Sequence, residues 1–524
     1  MRKTLFGLLA ATSLATPALT TPAAAQKTLT IAVGGAFTSM DPHYHNLNPN
    51  NVLTSYVFDP LLRFDPNFVP QASLAASWTA IGDTAWEVKL RPGVTFHDGT
   101  PFTADDVAFT FARIPQVLNS PSSFTFATKP FTKIEVIDAL TIRLHTAEAQ
   151  PLTPYNLSNI RIVSRKHGEG ASTGDYNTGK AAIGTGPYKV TSFAVGNSAV
   201  FQRNDAWWDK KPVWNTVNYK LIANNASRNA ALQSGDVDVI DQVPTRDVED
   251  LKKNPKVTVF AAPGQRLIYL APDVSRPETP WATDASGAKL SKNPLADVRV
   301  RKAMSLAINR AGIRDRIMDG FSNPTGQIMP EGASGFEPSI KVDPYDPEAA
   351  KKLLAEAGYP QGFGITLHGP NDRYVNDASI VEAVAQMWTR IGIKTTVEVM
   401  PSTTFFSRAQ KFEFSVRLTG WSSDTGEASS NLITLVASSA PEKGRGAIFD
   451  PTRYKNTAVD AIVEKSLATI DPAARETLYR EAERLGLPEY PIIPIHQQVN
   501  IWAVRKGLTF HHRSYEGTSA WDVE

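Results

Sequence analysis

The chain has 524 residues, no cysteine, 54 Lys plus Arg against 52 Asp plus Glu, and 42% hydrophobic residues that include 10 Trp, 14 Tyr and 24 Phe. That length exceeds what one core organises and predicts two to four domains, while the lack of Cys excludes disulfides, thiolate metal sites, a cysteine nucleophile and lipid attachment through an N-terminal cysteine. The charge balance gives no electrostatic footprint for nucleic acid or for an anionic membrane surface.

The opening segment MRKTLFGLLAATSLATPALTTPAAAQ sets Arg2 and Lys3 before an apolar run from Leu5 and ends in Ala23, Ala24 and Ala25. It reads as a secretory signal over 1–25, with cleavage after Ala25. Ser, Thr and Pro interrupt the run, which argues against a membrane anchor. Removing Arg2 and Lys3 takes the basic count from 54 to 52 against 52 acidic residues, so the exported chain is neutral. A freely soluble product in a periplasm is the expected destination.

KTLTIAV, from Lys27, alternates as a strand and leaves through GGAFTSMDP. Residues 56–145 hold short strands such as AWEVKL and TIRLH and predict a compact β-rich unit. ASRNAALQSGDVDVI predicts a helix from Ser227, a stop at Gly235 and a strand. Asp297 can cap a helix whose Val300, Ala303, Met304, Ala307, Ile308 and Ala311 share one face, ending at Gly312. Asp346-Pro347 opens another helix that stops at Gly358, Val381 to Ile391 a third before Gly392 and IKTTVEV, and Asp471-Pro472 a fourth before IIPIHQQVNIWAV. This alternation predicts mixed sheets covered by helices. The chain shows no internal repeat and no low-complexity linker.

GVTFHDGTPFTADDVAF places His97 beside Asp98, with Asp105 and Asp106 following, and invites a metal or acid/base reading. Each polar residue also has a structural role. HDGTP supplies a turn, Thr103 can cap a helix, and the two carboxylates lie in its first turn, where the helix dipole favours negative charge. No second cluster of ligand-type residues accompanies His97, which favours the structural reading.

LRPGVTFHDGTPFTADDVAF resembles the signature of the family 5 extracellular solute-binding proteins of ABC importers, the peptide, dipeptide, nickel and glutathione group. YVFDPLL, LAASW, GTGPYKV, RNDAWW, ALQSGDVDVI, NPLADVRVRKAMSLAINR, AKKLLAEAGYP and RIGIKTTVEV resemble the family's blocks in their order. The resemblance implies an α/β, two-lobed periplasmic binding protein of type II-like form, with an extra β-rich subdomain and a two-strand hinge. By it, 26–55, 183–268 and 495–524 form a discontinuous first lobe, 56–182 the added subdomain and 269–494 the second lobe. RLIYLA and IPIHQQV would be the crossing strands.

The resemblance also implies a site. LTGWSSDTGEASS, 418–430, is similar to the family's ligand-recognition loop, in which Asp424 would hold a peptide's α-amino group; a carboxylate suits an ammonium in a closed cleft. The same segment also reads as an ordinary turn. Arg373, in GPNDRYVND, would hold the ligand's carboxylate with its forked guanidinium, or is simply a surface arginine near a helix start. Trp421, Tyr269, Phe37 and Thr38 fall in the family's pocket regions, as wall or as core. GEASS departs from the acidic-Pro segment of dipeptide-binding members and resembles the glutathione-binding loop nearly as well. Arg417 lies one position from an arginine of some oligopeptide members, and on a strand one position reverses the face. His43 and His45 could bind nickel or a chelate but have no third ligand; His511 and His512 are weaker candidates.

The implied function is a monomeric periplasmic receptor that closes around a small peptide and delivers it to a membrane permease driven by cytoplasmic ATPases, with no cofactor, no metal and no chemistry on the ligand. A receptor of the same fold for glutathione, an opine, an oligosaccharide or a metal chelate is the alternative. An exported hydrolase is the rival of another class: no G-x-S-x-G or H-E-x-x-H is present, but triad members need not be sequence neighbours.

Overall fold

Alternation in Thr28–Val33 buries Leu29, Ile31 and Val33, and this strand pairs in parallel with Thr216–Leu221 and with Val239–Ile240. The computed structural model describes residues 27–66, 68–423, 425–440, 453–512 and 516–524, so the signal segment lies outside them. One hydrogen-bonded sheet of 12 strands runs through the molecule. Its path is Ala282–Thr283, Phe363–Pro370, Val416–Ser422, Val257–Pro272, Ile493–Arg505, Val239–Ile240, Thr28–Val33, Thr216–Leu221, Ser198–Arg203 and Tyr188–Ala194. Ile393–Met400 joins at Phe363–Pro370, and Ser322–Pro324 at Ile493–Arg505. A separate four-stranded sheet holds Ala75–Ala80, Ala85–Leu90, Thr141–Thr146 and Phe131–Asp138, and a small hairpin pairs Leu62–Phe64 with Pro70–Ala72.

Helices start and stop where capping chemistry dictates. Asn224 caps Asn225–Ser234 by accepting from the Ser227 amide, and Gly235 ends it with φ +88°. Asp346 caps Pro347–Glu356 and Asp471 caps Pro472–Gly486, each through the third residue on. The helix expected from Asp297 to Gly312 is in fact two. Val298–Leu306 ends early, and Asn309 opens Arg310–Arg316 by accepting from the Gly312 amide at 2.7 Å. Asn at a cap competes with helix continuation, so Gly312 lies inside the second helix instead of ending the first.

Three large cores form. One gathers Ile31, Phe37, Tyr56, Phe201, Tyr219 and Trp502; a second Ile268, Met304, Leu367, Val384 and Trp388; a third Val88, Phe102, Val107, Ile142 and Leu144 in the β-rich unit. The β-rich unit is fastened to the first core by buried polar groups. Arg113 donates to both carboxylate oxygens of Asp41 at 2.9 and 2.7 Å and to His43 Nδ1 at 2.8 Å. Asp59 accepts from Thr185 Oγ1, Trp207 Nε1 and Trp208 Nε1 at 2.9–3.2 Å.

The HDGTP turn belongs to this fastening. His97 Nε2 donates to Gly186 O, Asp98 accepts from Thr100, Lys166 and His167, and Asp106 accepts from the Thr103 and Arg165 amides. These residues hold a wall together, as their turn and cap chemistry predicts.

Val257–Pro272 and Ile493–Arg505 pair antiparallel along most of their length. The register slips between Pro263–Val499 and Leu267–Gln497, so Gly264, Gln265 and Arg266 bulge out. Gly264 is needed there: a Cβ would lie 2.8 Å from Asn500 Nδ2 and 3.0 Å from Gln498 O. His496, on the second strand, is 1% exposed, and neither ring nitrogen has a partner among the described residues.

Unfolding measurements can test both kinds of buried group. Asp41→Ala leaves the Arg113 guanidinium buried without its carboxylate and is expected to cost about 3–5 kcal/mol in urea denaturation, whereas Asp41→Leu combined with Arg113→Met costs markedly less. Burial pushes His496 down to about 3. The folded state therefore resists its protonation, and this stabilising contribution, complete above the unfolded value of about 6.5, is lost as pH falls below it. Relative to His496→Gln, the wild-type protein should lose about 2 kcal/mol of unfolding free energy between pH 7 and pH 5; parallel pH profiles of the two proteins would contradict the assignment.

Candidate functional site

The bulge at Gly264–Arg266 lies opposite Ser422, at the end of strand Val416–Ser422 that leads into the 418–430 segment. It turns Arg266 toward the C-terminal segment, where Arg266 Nε pairs with Glu516 Oε1 and NH2 donates to Oε2 at 2.9 Å. Gln498 Nε2 adds a bond to the same carboxylate at 3.2 Å. Burial pushes Glu516 up, but the charge and hydrogen bonds of Arg266, with a further contribution from Arg373, hold it below the usual carboxylate range.

Arg373 reaches this place beside Tyr374, a member of the second core. It precedes helix Asp377–Arg390, and its backbone amide donates to Asp377 Oδ2 at 3.0 Å. Its guanidinium carbon lies 5.0 Å from the ring centre of Tyr374, and that of Arg266 lies 5.8 Å from the same ring. Tyr374 is buried, with its hydroxyl donating to Gly420 O at 3.3 Å. Gly420 admits the ring, because a Cβ there would lie 2.9 Å from Tyr374 Cε1. Two guanidiniums thus flank one aromatic ring, a cation–π arrangement, with Glu516 as the carboxylate against them.

Glu516, Gly35, Asn48, Asp241, Gln242 and Thr518 line a small recess with room for about one water molecule. Asp241 accepts from the Gly34 amide at 2.8 Å; burial raises it to about 6, against the pull of Arg228. Nearby, Asn376 Nδ2 donates to Thr245 Oγ1 at 2.9 Å.

The residues nominated from the sequence separate here. Arg373 is half-buried and electrostatically coupled to Glu516. Asp424 lies outside the described residues. Tyr269 is buried, and Trp421 packs partly buried on the same cluster with Leu432 and Tyr479, behind the 418–430 segment. Phe37 is fully buried against Phe193 and Tyr219. Thr38 accepts from Asn50 Nδ2 at 3.1 Å and bonds His45 Nδ1 at 3.0 Å. His43 has both ring nitrogens engaged, Nδ1 by Arg113 and Nε2 by Arg161 O, and burial lowers it to about 4, which keeps it neutral and structural. His511 contacts Glu524 at 3.4 Å.

Sequence reasoning missed Arg266, Tyr374 and Glu516. Arg266 is the first residue of RLIYLA, the segment nominated as a crossing strand, and Tyr374 follows Arg373, so both stood within reach. Glu516 is 250 residues from Arg266, and nothing local marks it.

Comparison with known proteins agrees with this architecture. The model for bacterial extracellular solute-binding proteins, family 5 Middle, matches residues 69–443. A protein named glutathione-binding protein GsiB, from Shigella flexneri serotype 5b (strain 8401), is 28% identical over 520 residues, covering 96% of this chain and 95% of that protein. Among solved structures, the ABC transporter-associated periplasmic binding protein DppA from Helicobacter pylori, in complex with peptide STSA, superposes with a TM-score of 0.79 at 23% identity, covering 95% of this chain and 98% of that one. The dipeptide binding protein from Pseudoalteromonas sp. SM9913, in complex with Met-Leu, gives a TM-score of 0.79 at 21% identity, covering 95% and 100%. These superpositions show the two-lobed fold of periplasmic binding proteins. The family match spans well over half of the sequence, and the chain belongs to the bacterial extracellular solute-binding proteins, family 5.

Proposed function

We propose that this protein is the periplasmic receptor of an ABC importer, taking a short zwitterionic peptide between its lobes and delivering it, as a monomer, to membrane permease subunits. In this reading 26–55, 183–268 and 495–524 form one lobe, 269–494 the other, and 56–182 the added unit, a division supported by the three separate cores. The observation that carries the ligand class is the pair of guanidiniums, Arg266 and Arg373, set about Tyr374 with Glu516 against them. Arg373 takes the ligand's carboxylate and Asp424 its α-amino group. Trp421 and Tyr269 back the 418–430 segment, and Phe37 and Thr38 stiffen the first-lobe rim. Binding and release leave the solute unchanged. The peptides bound to the Helicobacter and Pseudoalteromonas proteins support the same class.

Glutathione is the second reading, favoured by the name of the Shigella relative, whose similarity spans 96% of this chain. Glutathione carries two carboxylates and one ammonium, and two arginines against one glutamate suit that excess of negative charge.

Native mass spectrometry of protein purified gently from the periplasm tests the reading, with a released di- or tripeptide expected; released glutathione selects the second reading, and a released sugar or metal chelate overturns both. In calorimetric titration, Arg373→Ala should weaken binding of the released peptide by about 10- to 150-fold, the loss of a charge-assisted hydrogen bond of about 1.5–3 kcal/mol. Unchanged affinity would remove Arg373 from the site.

A further inference from the structure

A second meeting of the lobes brings Phe68 and Tyr155, which have no place in the ligand site, against a turn of the 418–430 segment. The hairpin Leu62–Phe64/Pro70–Ala72 carries Phe68 near its tip, where a side chain would ordinarily face water, yet Phe68 is only 9% exposed. It sits against Gly426: a Cβ there would lie 2.2 Å from Phe68 Cβ. Both residues have left-handed backbones, φ +63° at Phe68 and +70° at Gly426. A bulky residue held at positive φ is strained, and such strain persists only where the surroundings impose it.

Beside this contact, Tyr155 of helix Thr153–Asn159 sets its ring tilted against Phe64, centroids 6.3 Å apart, and is electrostatically coupled to Glu427 and Arg475. Glu427, 2% exposed, is a hub of the second lobe. It accepts from Tyr479 at 2.6 Å, Ser429 at 3.1 Å and Arg475 at 3.2 Å, while its own carbonyl accepts from Ser423 at 3.0 Å and Thr425 at 3.3 Å. The Ala428 amide anchors the same turn to Ser334 O. Ile470 of the second lobe packs on the core of the β-rich unit.

Each partner is fixed to a different body. The hairpin and Tyr155 belong to the β-rich unit, tied to the first lobe through Asp41–Arg113 and Asp59. Residues 425–427 are tied to the second lobe through Arg475 and Tyr479. Separation of the lobes therefore breaks Phe68–Gly426 and Tyr155–Glu427 together.

We propose that Phe68 and Tyr155 are positioning residues: they clasp the turn Thr425–Gly426–Glu427 only when the lobes are closed, and so set ligand affinity without touching the ligand. The inference rests on the reading of the protein as a receptor that closes on its solute. Ligand binding then stabilises a state that the clasp already favours, and the clasp's contribution enters the dissociation rate.

The cysteine-free chain makes the test clean. Spin labels at Leu118→Cys, 80% exposed on the β-rich unit, and at Lys352→Cys, its side chain 79% exposed on the second lobe, report the lobe separation by pulsed EPR. Phe68→Ala with Tyr155→Phe should move the distance distribution to longer separations and raise the Kd of an alanyl dipeptide about tenfold through faster dissociation. Gly426→Ala should open the lobes from the other side, and adding Phe68→Gly to it should restore part of the closed population, because the atom the new Cβ meets first is Phe68 Cβ, which only glycine removes. Thermal unfolding identifies any variant that fails to fold, and Tyr155→Phe, which removes one hydroxyl, stands in for it. Distance distributions unchanged in all variants overturn the clasp even if dipeptide binds. Shifted distances with no dipeptide binding in any protein keep the clasp and overturn the ligand reading instead.

Discussion

The antiparallel pairing of Val257–Pro272 with Ile493–Arg505 is the constraint on which the rest of this structure hangs. These strands lie at the centre of the 12-stranded sheet, with Val416–Ser422 on one side and Val239–Ile240 on the other. Because the second of them arrives from the far end of the chain, the first core is assembled from segments hundreds of residues apart, as in the bond from Trp214 Nε1 to Val523 O at 2.9 Å. The ladder shifts register twice, at Gly264–Arg266 and between Ile268 and Tyr269, and the first shift turns Arg266 toward Glu516.

Charge is used in two ways. Arg301 and Arg310, from the NPLADVRVRKAMSLAINR block, are buried and donate almost entirely to backbone carbonyls: Arg301 to Leu295, Ala296 and Glu489, Arg310 to Ser305 and Pro494. They satisfy helix and turn ends that would otherwise be orphaned. Arg266 and Arg373 instead lie near the ring of Tyr374, with Arg266 paired to Glu516. What separates the two kinds of arginine here is the partner set, since burial alone does not.

The β-rich unit reads differently once its contacts are traced. It has its own sheet and core, and buried polar groups join it to the first core. Its hairpin also reaches the 418–430 segment, where Phe68 meets Gly426. A unit outside the two lobes can in this way bias their equilibrium, provided its contacts are made in one state only.

Local chemistry made much of this legible from sequence. Gly235, Asp346 with Gly358, and Asp471 mark helix ends because capping bonds span three or four residues, while the helix expected from Ser227 begins at Asn225 under an Asn224 cap; alternation in Thr28–Val33 and Ala85–Leu90 marks half-buried strands because their period is two. The family, and through it the two-lobed fold, were legible in blocks such as LRPGVTFHDGTPFTADDVAF. The early stop at Leu306 was not, because it depends on which of two local signals, helical period or Asn309 capping, the surrounding packing rewards. Nor was the site: Arg373 could be nominated, but its association with Arg266, Tyr374 and Glu516 required three distant segments to be brought together. Phe68 against Gly426 is the same kind of fact, decided by tertiary structure because interactions across a cleft leave no periodicity in the chain that forms them.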